Sequence, residues 1–191
     1  MVRYLISLAI VVLTVLGAAG VFFPDYWIHR YDDLIARQAR IYRLDEKLVW
    51  SLIYEETYFR AWKHGAADEV GLMQVRPAVV REWAKATGLK EYERAAEAPE
   101  QFLADPEQNI QVGCWYLEKL REMYRGLPAE TALTLAAYNA GPSRVEGWTA
   151  GLKLSDISED DFVSRITIPS TKSYVTAILA RYRMQTSEIK K

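Results

Sequence analysis

Apolar residues recur at helical spacing through most of this chain, and several helices can be delimited from that pattern alone. The clearest begins after Asp45, a good N-cap residue followed by Glu46, and is predicted to run to about Tyr58. Its apolar stripe consists of Leu48, Val49, Leu52 and Ile53. Because helical residues turn by about 100° each, Glu56 falls near the centre of this stripe and Glu55 at its border. The two adjacent acids are therefore predicted to meet different environments.

The same periodicity, together with proline at helix starts and glycine just past helix ends, predicts further helices. They cover residues 31–42, 77–86, 106–126, 128–141 and 171–183. Residues 89–100 fit a surface helix or loop, and residues 149–167, which contain an acidic run, are predicted to be a surface loop. No strand pattern stands out. The sequence thus predicts a mainly α fold.

The N-terminus has a different pattern, uncharged from Tyr4 to Phe23 and long enough as a helix to cross a hydrocarbon core of about 30 Å. It is predicted to be a retained membrane anchor or a cleaved signal peptide. The long apolar run favours the anchor, whereas the small residues Gly17-Ala18-Ala19 would suit a signal peptidase. The arginines that follow it do not support export by the positive-inside rule, although long domains can be translocated regardless. The predicted division is residues 1–25 as anchor or signal and 26–191 as one domain.

Composition narrows the possible functions. The 191 residues carry a net charge of −1, so the strongly basic surface that binds nucleic acid is not indicated. The single Cys114 cannot form an internal disulfide and is predicted to be a small core residue. With only His29 and His64 and no ligand spacing, no metal site is assigned.

Glu56 is the candidate for chemistry. A carboxyl group that points into apolar surroundings resists ionisation and can keep its proton near neutral pH, which a general acid requires. Periodicity alone leaves open the alternative that Glu55 and Glu56 simply form a solvated helix end.

Several ordered segments carry a resemblance to a known family. Glu56-Thr57-Tyr58-Phe59, followed by Gly71-Leu72-Met73-Gln74-Val75 and Pro77, resembles the E-[ST]-x-F and G-L-M-Q-x-x-P blocks of the soluble lytic transglycosylase family. Further blocks follow in the family's order: Asn109-Ile110 with Gly113 and Tyr116-Leu117, then Ala136 to Pro142 (AAYNAGP), Ile168-Pro169 and Tyr174-Val175. Together they span nearly all of residues 31–185.

The resemblance implies a single lysozyme-like domain of the goose type and a peptidoglycan lytic transglycosylase that needs no cofactor. Glu56 would act first as acid and then as base, while the substrate's own acetamido oxygen stabilises the sugar cation and a 1,6-anhydromuramyl product forms. Met73 and Gln74 would contact the acetamido sugars, and Tyr138, Asn139 and Tyr174 would complete the cleft wall. Peptidoglycan strands would be the partner, on the periplasmic side of the inner membrane, to which residues 4–23 would attach the protein if uncleaved. Both general wall turnover and service to an envelope machine fit this resemblance.

The chain departs from the family at three places. Gly65 stands where a serine is usual, Asp68-Glu69 replace a Gly-Ala pair, and Ser170 replaces an acid. If the two loop acids point inward, their charge would further raise the pKa of Glu56. Two alternatives therefore remain: a goose-lysozyme-type hydrolase, with Asp68 or Glu69 positioning water, and a non-catalytic peptidoglycan-binding protein.

Overall fold

The computed structural model describes the backbone of residues 2–88 and 92–187. Residues 1, 89–91 and 188–191, and the side chains at 2, 3, 5–10, 15–19, 21 and 94, lie outside this description. Contacts divide the chain into two units, Met1–Asp33 and Leu34–Lys191.

The first unit consists mainly of helix α1 (Val2–His29). After its end, the His29 ring nitrogen Nδ1 lies 2.7 Å from Asp32 Oδ2. Many side chains of the predicted anchor, residues 4–23, lie outside the described ones. Among the residues that were described, no helix has the length and apolar character needed to cross a bilayer.

Helices also make up most of the second unit, as the periodicity predicts. In chain order they are α2 (Asp32–Ile41), α3 (Glu46–Thr57), α4 (Pro77–Thr87), α5 (Glu93–Glu97), α6 (Pro99–Leu103), α7 (Pro106–Tyr124), α8 (Glu130–Ala140), α9 (Pro142–Thr149), α10 (Glu159–Arg165) and α11 (Pro169–Ser187), with a 3₁₀ turn at Leu154–Asp156. Isolated β-bridges join His64 to Val70 and Val70 to Val75.

Helix α8 lies at the centre of this unit. Its residues 132–137 are all buried, because small and aliphatic side chains cover its whole circumference. It contacts α7, α9, α10 and α11, and α11 in turn packs against α3. The C-terminal ends of α3 and α8 thereby contribute residues to the same cleft.

The predicted helix starts at α3 and α7 are confirmed, together with their caps. Asp45 Oδ1 accepts a hydrogen bond from the Lys47 amide at 2.8 Å, and Asp105 Oδ1 accepts one from the Gln108 amide at 3.0 Å. Each cap satisfies an amide that lacks a partner within its helix. Helix α8 begins at Glu130 rather than at Pro128.

The prediction of a surface loop over residues 149–167 is wrong, because α10 lies inside it. Ser158 caps α10 by accepting a hydrogen bond from the Asp161 amide at 3.1 Å. The acidic run forms the first turn of this helix, where negative charge is favoured by the helix dipole. Phe162, between the acids and the helix end, is fully buried and attaches α10 to the core.

Candidate active site

Glu56 lies in the last turn of α3, directly before the chain leaves the helix through two left-handed residues, Tyr58 (φ 51°) and Phe59 (φ 60°). Its neighbour Glu55 lies on the outer side of α3, where its Oε2 is 3.2 Å from Arg181 Nη1. The prediction that the two acids meet different environments is therefore confirmed.

The surroundings of Glu56 favour its protonated form. Burial raises the pKa of this carboxyl from 4.5 to about 7, and the negative charges of Glu69 and Glu55 act in the same direction. A hydrogen bond from Tyr174 and the positive charge of Lys63 oppose the rise in pKa. Glu56 can therefore both hold and release a proton near neutral pH, as general acid–base chemistry requires.

Tyr174 connects α11 to this carboxyl. Its hydroxyl donates to Glu56 Oε1 at 2.8 Å. Burial raises the pKa of Tyr174 well above its ordinary value, so the hydroxyl keeps its proton and remains a donor. Tyr174 thus fixes the direction of one carboxyl oxygen.

A tight turn over residues 70–75 forms the wall opposite the end of α3. The amide and carbonyl groups of Val70 and Val75 pair reciprocally at 3.0 and 3.1 Å. Thr57 Oγ1 donates to the carbonyl of Leu72 at 3.1 Å and also to that of Ile53 at 3.2 Å. The hydroxyl residue after Glu56 therefore ties the end of α3 to this turn.

Asn109, at the start of α7, is fully buried and holds the same turn from the other side. Its Oδ1 accepts from the Met73 amide at 2.9 Å, and its Nδ2 donates to the carbonyls of Val70 at 2.8 Å and Leu103 at 3.0 Å. Gly71 (φ 76°) makes room for it, since a Cβ there would collide with the Asn109 amide. The sequence placed Asn109 in a family block but assigned it no role.

Met73 differs from its predicted role. Its side chain is fully buried rather than exposed in the cleft, with its sulfur against Gly113 of α7, where a Cβ would collide with it. The missing side chain of Gly113 therefore makes room for Met73. The Met73 backbone faces Tyr138 instead, whose hydroxyl donates to the Met73 carbonyl at 2.7 Å.

The cleft itself has a volume of about 490 Å³ and contains three of the other predicted residues beside Glu56. It is lined by Glu56, Glu69, Gln74, Val75, Arg76, Val79, Tyr116, Tyr138, Asn139, Ala140 and Gly141. Gln74 braces the turn, since its Nε2 donates to the carbonyls of Lys63 at 3.1 Å and Gly71 at 2.8 Å. Asn139 Oδ1 accepts from Thr171 Oγ1 at 2.7 Å. The cleft thus combines one enclosed acid with aromatic and amide groups, which suits a ligand with sugar rings and polar substituents.

Seven lining residues were not predicted as site residues, and three of these carry polar side chains: Glu69, Arg76 and Tyr116. Glu69 was noted only as one of two loop acids that could point inward, and its neighbour Asp68 is not among the lining residues. The side chain of Arg76 pairs with Glu69, with Nε 3.5 Å from Oε1. An irregular loop has no regular residue spacing, so the sequence could not predict which of two adjacent acids faces the cleft.

A Tyr174→Phe substitution is expected to lower activity about tenfold and to move the upper limb of the pH–activity profile to higher pH. The Tyr174 hydrogen bond stabilises the ionised Glu56, so its loss lets the pKa of Glu56 rise further. The profile of kcat/KM between pH 5 and 9 measures this.

Tyr182→Phe is the matched control, because Tyr182 lies on the same helix and donates to Asp45 at 2.8 Å at the other end of α3. Its profile is expected to match that of the wild type. A Tyr174→Phe profile that shifts to lower pH would contradict the expectation.

Comparison with known proteins identifies the relatives of this chain. The family model for the transglycosylase SLT domain matches residues 33–160. The soluble lytic murein transglycosylase of Salmonella typhimurium is 29% identical over 150 residues, which are 78% of this chain and 22% of that protein. The membrane-bound lytic murein transglycosylase E of Buchnera aphidicola is 27% identical over 154 residues, which are 79% of this chain and 65% of that protein. This chain therefore spans less than two thirds of either relative.

Among solved structures, an inactive Glu-to-Gln variant of the lytic transglycosylase Slt from Pseudomonas aeruginosa has a similar fold. The TM-score is 0.73 at 24% sequence identity, over 86% of this chain and 25% of that one. The mainly helical fold predicted from the sequence is therefore confirmed as that of an SLT domain, which is lysozyme-like.

Proposed function

Because this chain belongs to the transglycosylase SLT domain family, we propose that it is a peptidoglycan lytic transglycosylase in which Glu56 is the single acid and base. The observation that carries the proposal is the enclosed Glu56 carboxyl, with a pKa of about 7 and a fixed donor in Tyr174, inside a cleft of about 490 Å³. The substrate would be the β-1,4 bond between N-acetylmuramic acid and N-acetylglucosamine.

Glu56 would first give its proton to the glycosidic oxygen, so that the bond to the muramyl C1 breaks and N-acetylglucosamine leaves as an alcohol. The positive charge that develops at C1 would be stabilised by the substrate's acetamido oxygen. The ionised Glu56 would then take the proton of the muramyl 6-hydroxyl, whose oxygen bonds to C1. Proton and electrons balance without water, and Glu56 returns to its protonated state.

The roles proposed for the surrounding residues follow from their contacts. Tyr174 orients the carboxyl, and Tyr138 and Asn139 form the wall beside it. Gln74 lines the cleft and braces the turn through its amide nitrogen, so we propose that it both shapes the wall and contacts the sugar. For Met73 we propose a role through its backbone, because its side chain is buried.

A second candidate, hydrolysis by a goose-lysozyme-type mechanism, is favoured by one observation. Glu69 lines the same cleft as Glu56 and could hold a water molecule that attacks C1 in place of the 6-hydroxyl. The two reactions differ in their products, since hydrolysis leaves a reducing end and transglycosylation an anhydro end.

Mass spectrometry of the soluble fragments released from purified sacculi by the full chain tests the proposal. Anhydromuropeptides are expected. Reducing-end fragments would instead support the hydrolase, and the absence of any released fragment would refute both enzymatic assignments.

Activity is also expected to depend on pH through Glu56. The free enzyme must hold the proton that it donates, so kcat/KM should be highest below the pKa of Glu56 and fall as the pH rises through about 7. A profile of fragment release between pH 5 and 9 measures this. Constant kcat/KM up to pH 9 would contradict the assignment of Glu56 as the acid.

We further propose that the protein works in the cell envelope, on the periplasmic side of the inner membrane. The curated relatives include both soluble and membrane-bound murein transglycosylases. The apolar run over residues 4–23 would serve as an anchor, or as a signal peptide if it is cleaved.

A further inference from the structure

The loop over residues 65–69 brings a second acid into the cleft. The amide of Gly65 donates to the carbonyl of Glu69 at 2.7 Å and closes the loop. Both Glu69 and Glu56 line the cleft. The loop therefore delivers one carboxylate inward.

Gly65 makes this position of Glu69 possible. A Cβ built on Gly65 would collide with Glu69 Oε2 and approach Gln74 Oε1 at 3.0 Å. The carboxylate of Glu69 therefore occupies the space into which a side chain at position 65 would extend. The two departures from the family, glycine at 65 and an acid at 69, are spatially one feature.

Two contacts hold the Glu69 side chain in this space. The amide of Ala67 donates to Oε2 at 2.9 Å, and Arg76 Nε lies 3.5 Å from Oε1. About a quarter of the side chain remains exposed, on a residue that also lines the cleft. Glu69 is thus neither a core residue nor a freely moving surface acid.

We propose that Glu69 is the second functional acid of the cleft: its carboxylate takes the place of a side chain at position 65 and adds a negative charge to the surroundings in which Glu56 works. Glu69 acts through Glu56 and is therefore a positioning residue. The inference rests on the proposed function, because its effect is measured in the reaction that Glu56 performs.

The other titratable groups around Glu56 come from four elements. Glu55 lies beside it on α3, Tyr174 and Tyr138 face it from α11 and α8, and Lys63 lies in the loop that follows α3. Glu69 and Glu55 both raise the pKa of Glu56, and each is paired with an arginine, Glu69 with Arg76 and Glu55 with Arg181. Of the two acids, Glu69 lines the cleft and Glu55 lies on the outer side of the helix. Glu69 is therefore the like charge that is placed within the cleft.

The test uses the full chain and three variants. Glu69→Gln keeps the shape of the side chain and removes its charge. Asp68→Asn removes a charge from the adjacent residue, which is not a lining residue and whose left-handed backbone (φ 63°) asparagine tolerates. Gly65→Ser adds a side chain in the space that Glu69 occupies.

For Glu69→Gln, the alkaline limb of the kcat/KM profile is expected to move to lower pH by about half a unit. On that limb activity falls tenfold per pH unit, so activity at pH 8 should be about threefold lower than that of the wild type. Gly65→Ser should reproduce this shift because it displaces the carboxylate. Asp68→Asn should keep the wild-type profile.

A wild-type profile for Glu69→Gln, or an equal shift for Asp68→Asn, would overturn the proposal. A wild-type profile for Gly65→Ser would overturn the claim that the two positions share one space. These outcomes are distinct from failure of the proposed function, in which the wild type itself releases no fragments from sacculi.

Discussion

Glu56→Gln is expected to lower fragment release about a thousandfold, because glutamine cannot donate the proton that the leaving oxygen needs. The amide oxygen can still accept from Tyr174, so the cleft should keep its shape. Release of soluble fragments from sacculi, measured at pH 6, gives the rate. Binding of the variant to sacculi, measured by sedimentation, should remain.

Glu55→Gln is the matched control, since it removes a charge one residue away on the outer side of α3. It should keep most of the activity. If both variants lost fragment release equally, the activity would depend on negative charge at this end of α3 and not specifically on the Glu56 carboxyl.

Glu56→Gln is also expected to stabilise the protein above neutral pH. A carboxyl whose pKa is 4.5 in the unfolded chain and about 7 in the folded one binds more protons when folded. Its ionisation therefore lowers the free energy of unfolding as the pH rises from about 4.5 to 7, by about 3 kcal/mol in total. Denaturant unfolding at pH 5 and pH 8 should show that Glu56→Gln gains stability over the wild type at pH 8, with less or no gain at pH 5.

Asn109→Ala is expected to have the largest effect on stability, a loss of about 3–4 kcal/mol. It leaves the Met73 amide and the Leu103 carbonyl buried without the partner that Asn109 supplies, and each unsatisfied group costs about 1–3 kcal/mol. The Val70 carbonyl loses one of its two bonds and keeps the one from the Val75 amide. Because the turn over residues 70–75 forms one wall of the cleft, activity at 25 °C should fall as well.

Urea unfolding measures the loss of stability. Glu107→Ala provides a comparison on the same turn of α7, where an exposed ion pair with Arg37 at 3.6 Å should contribute less than about 0.5 kcal/mol. A loss for Asn109→Ala as small as that of Glu107→Ala would mean that other groups hold the turn.

The sequence was sufficient for features that depend on neighbouring residues along one helix. The contrast between Glu55 and Glu56 follows from helical periodicity, and the cap at Asp45 follows from its residue type directly before the helix. The acidic run in α10 misled the same reasoning, because helix N-termini and solvated loops both favour acids.

Features that depend on distant segments could not be predicted in this way. Asn109 reaches the Met73 amide across 36 positions, and Tyr138 reaches the Met73 carbonyl across 65. The burial of Met73 depends on Gly113 facing it, which requires knowing how α7 lies against the turn. The same holds for Glu69, whose inward position depends on the empty space at Gly65.

Asn109 and Thr57 hold the turn over residues 70–75 by its backbone, which leaves some cleft side chains free to change. Their bonds to the turn end on backbone atoms, and within the turn the Gln74 amide is a further brace. Val75, Arg76 and Val79 line the cleft but take no part in those bonds. Val75 is buried in the core and Arg76 holds Glu69, so substitutions at Val79 are the ones expected to alter ligand preference while the frame around Glu56 stays in place. Val79 is therefore a natural target for directed evolution of this domain.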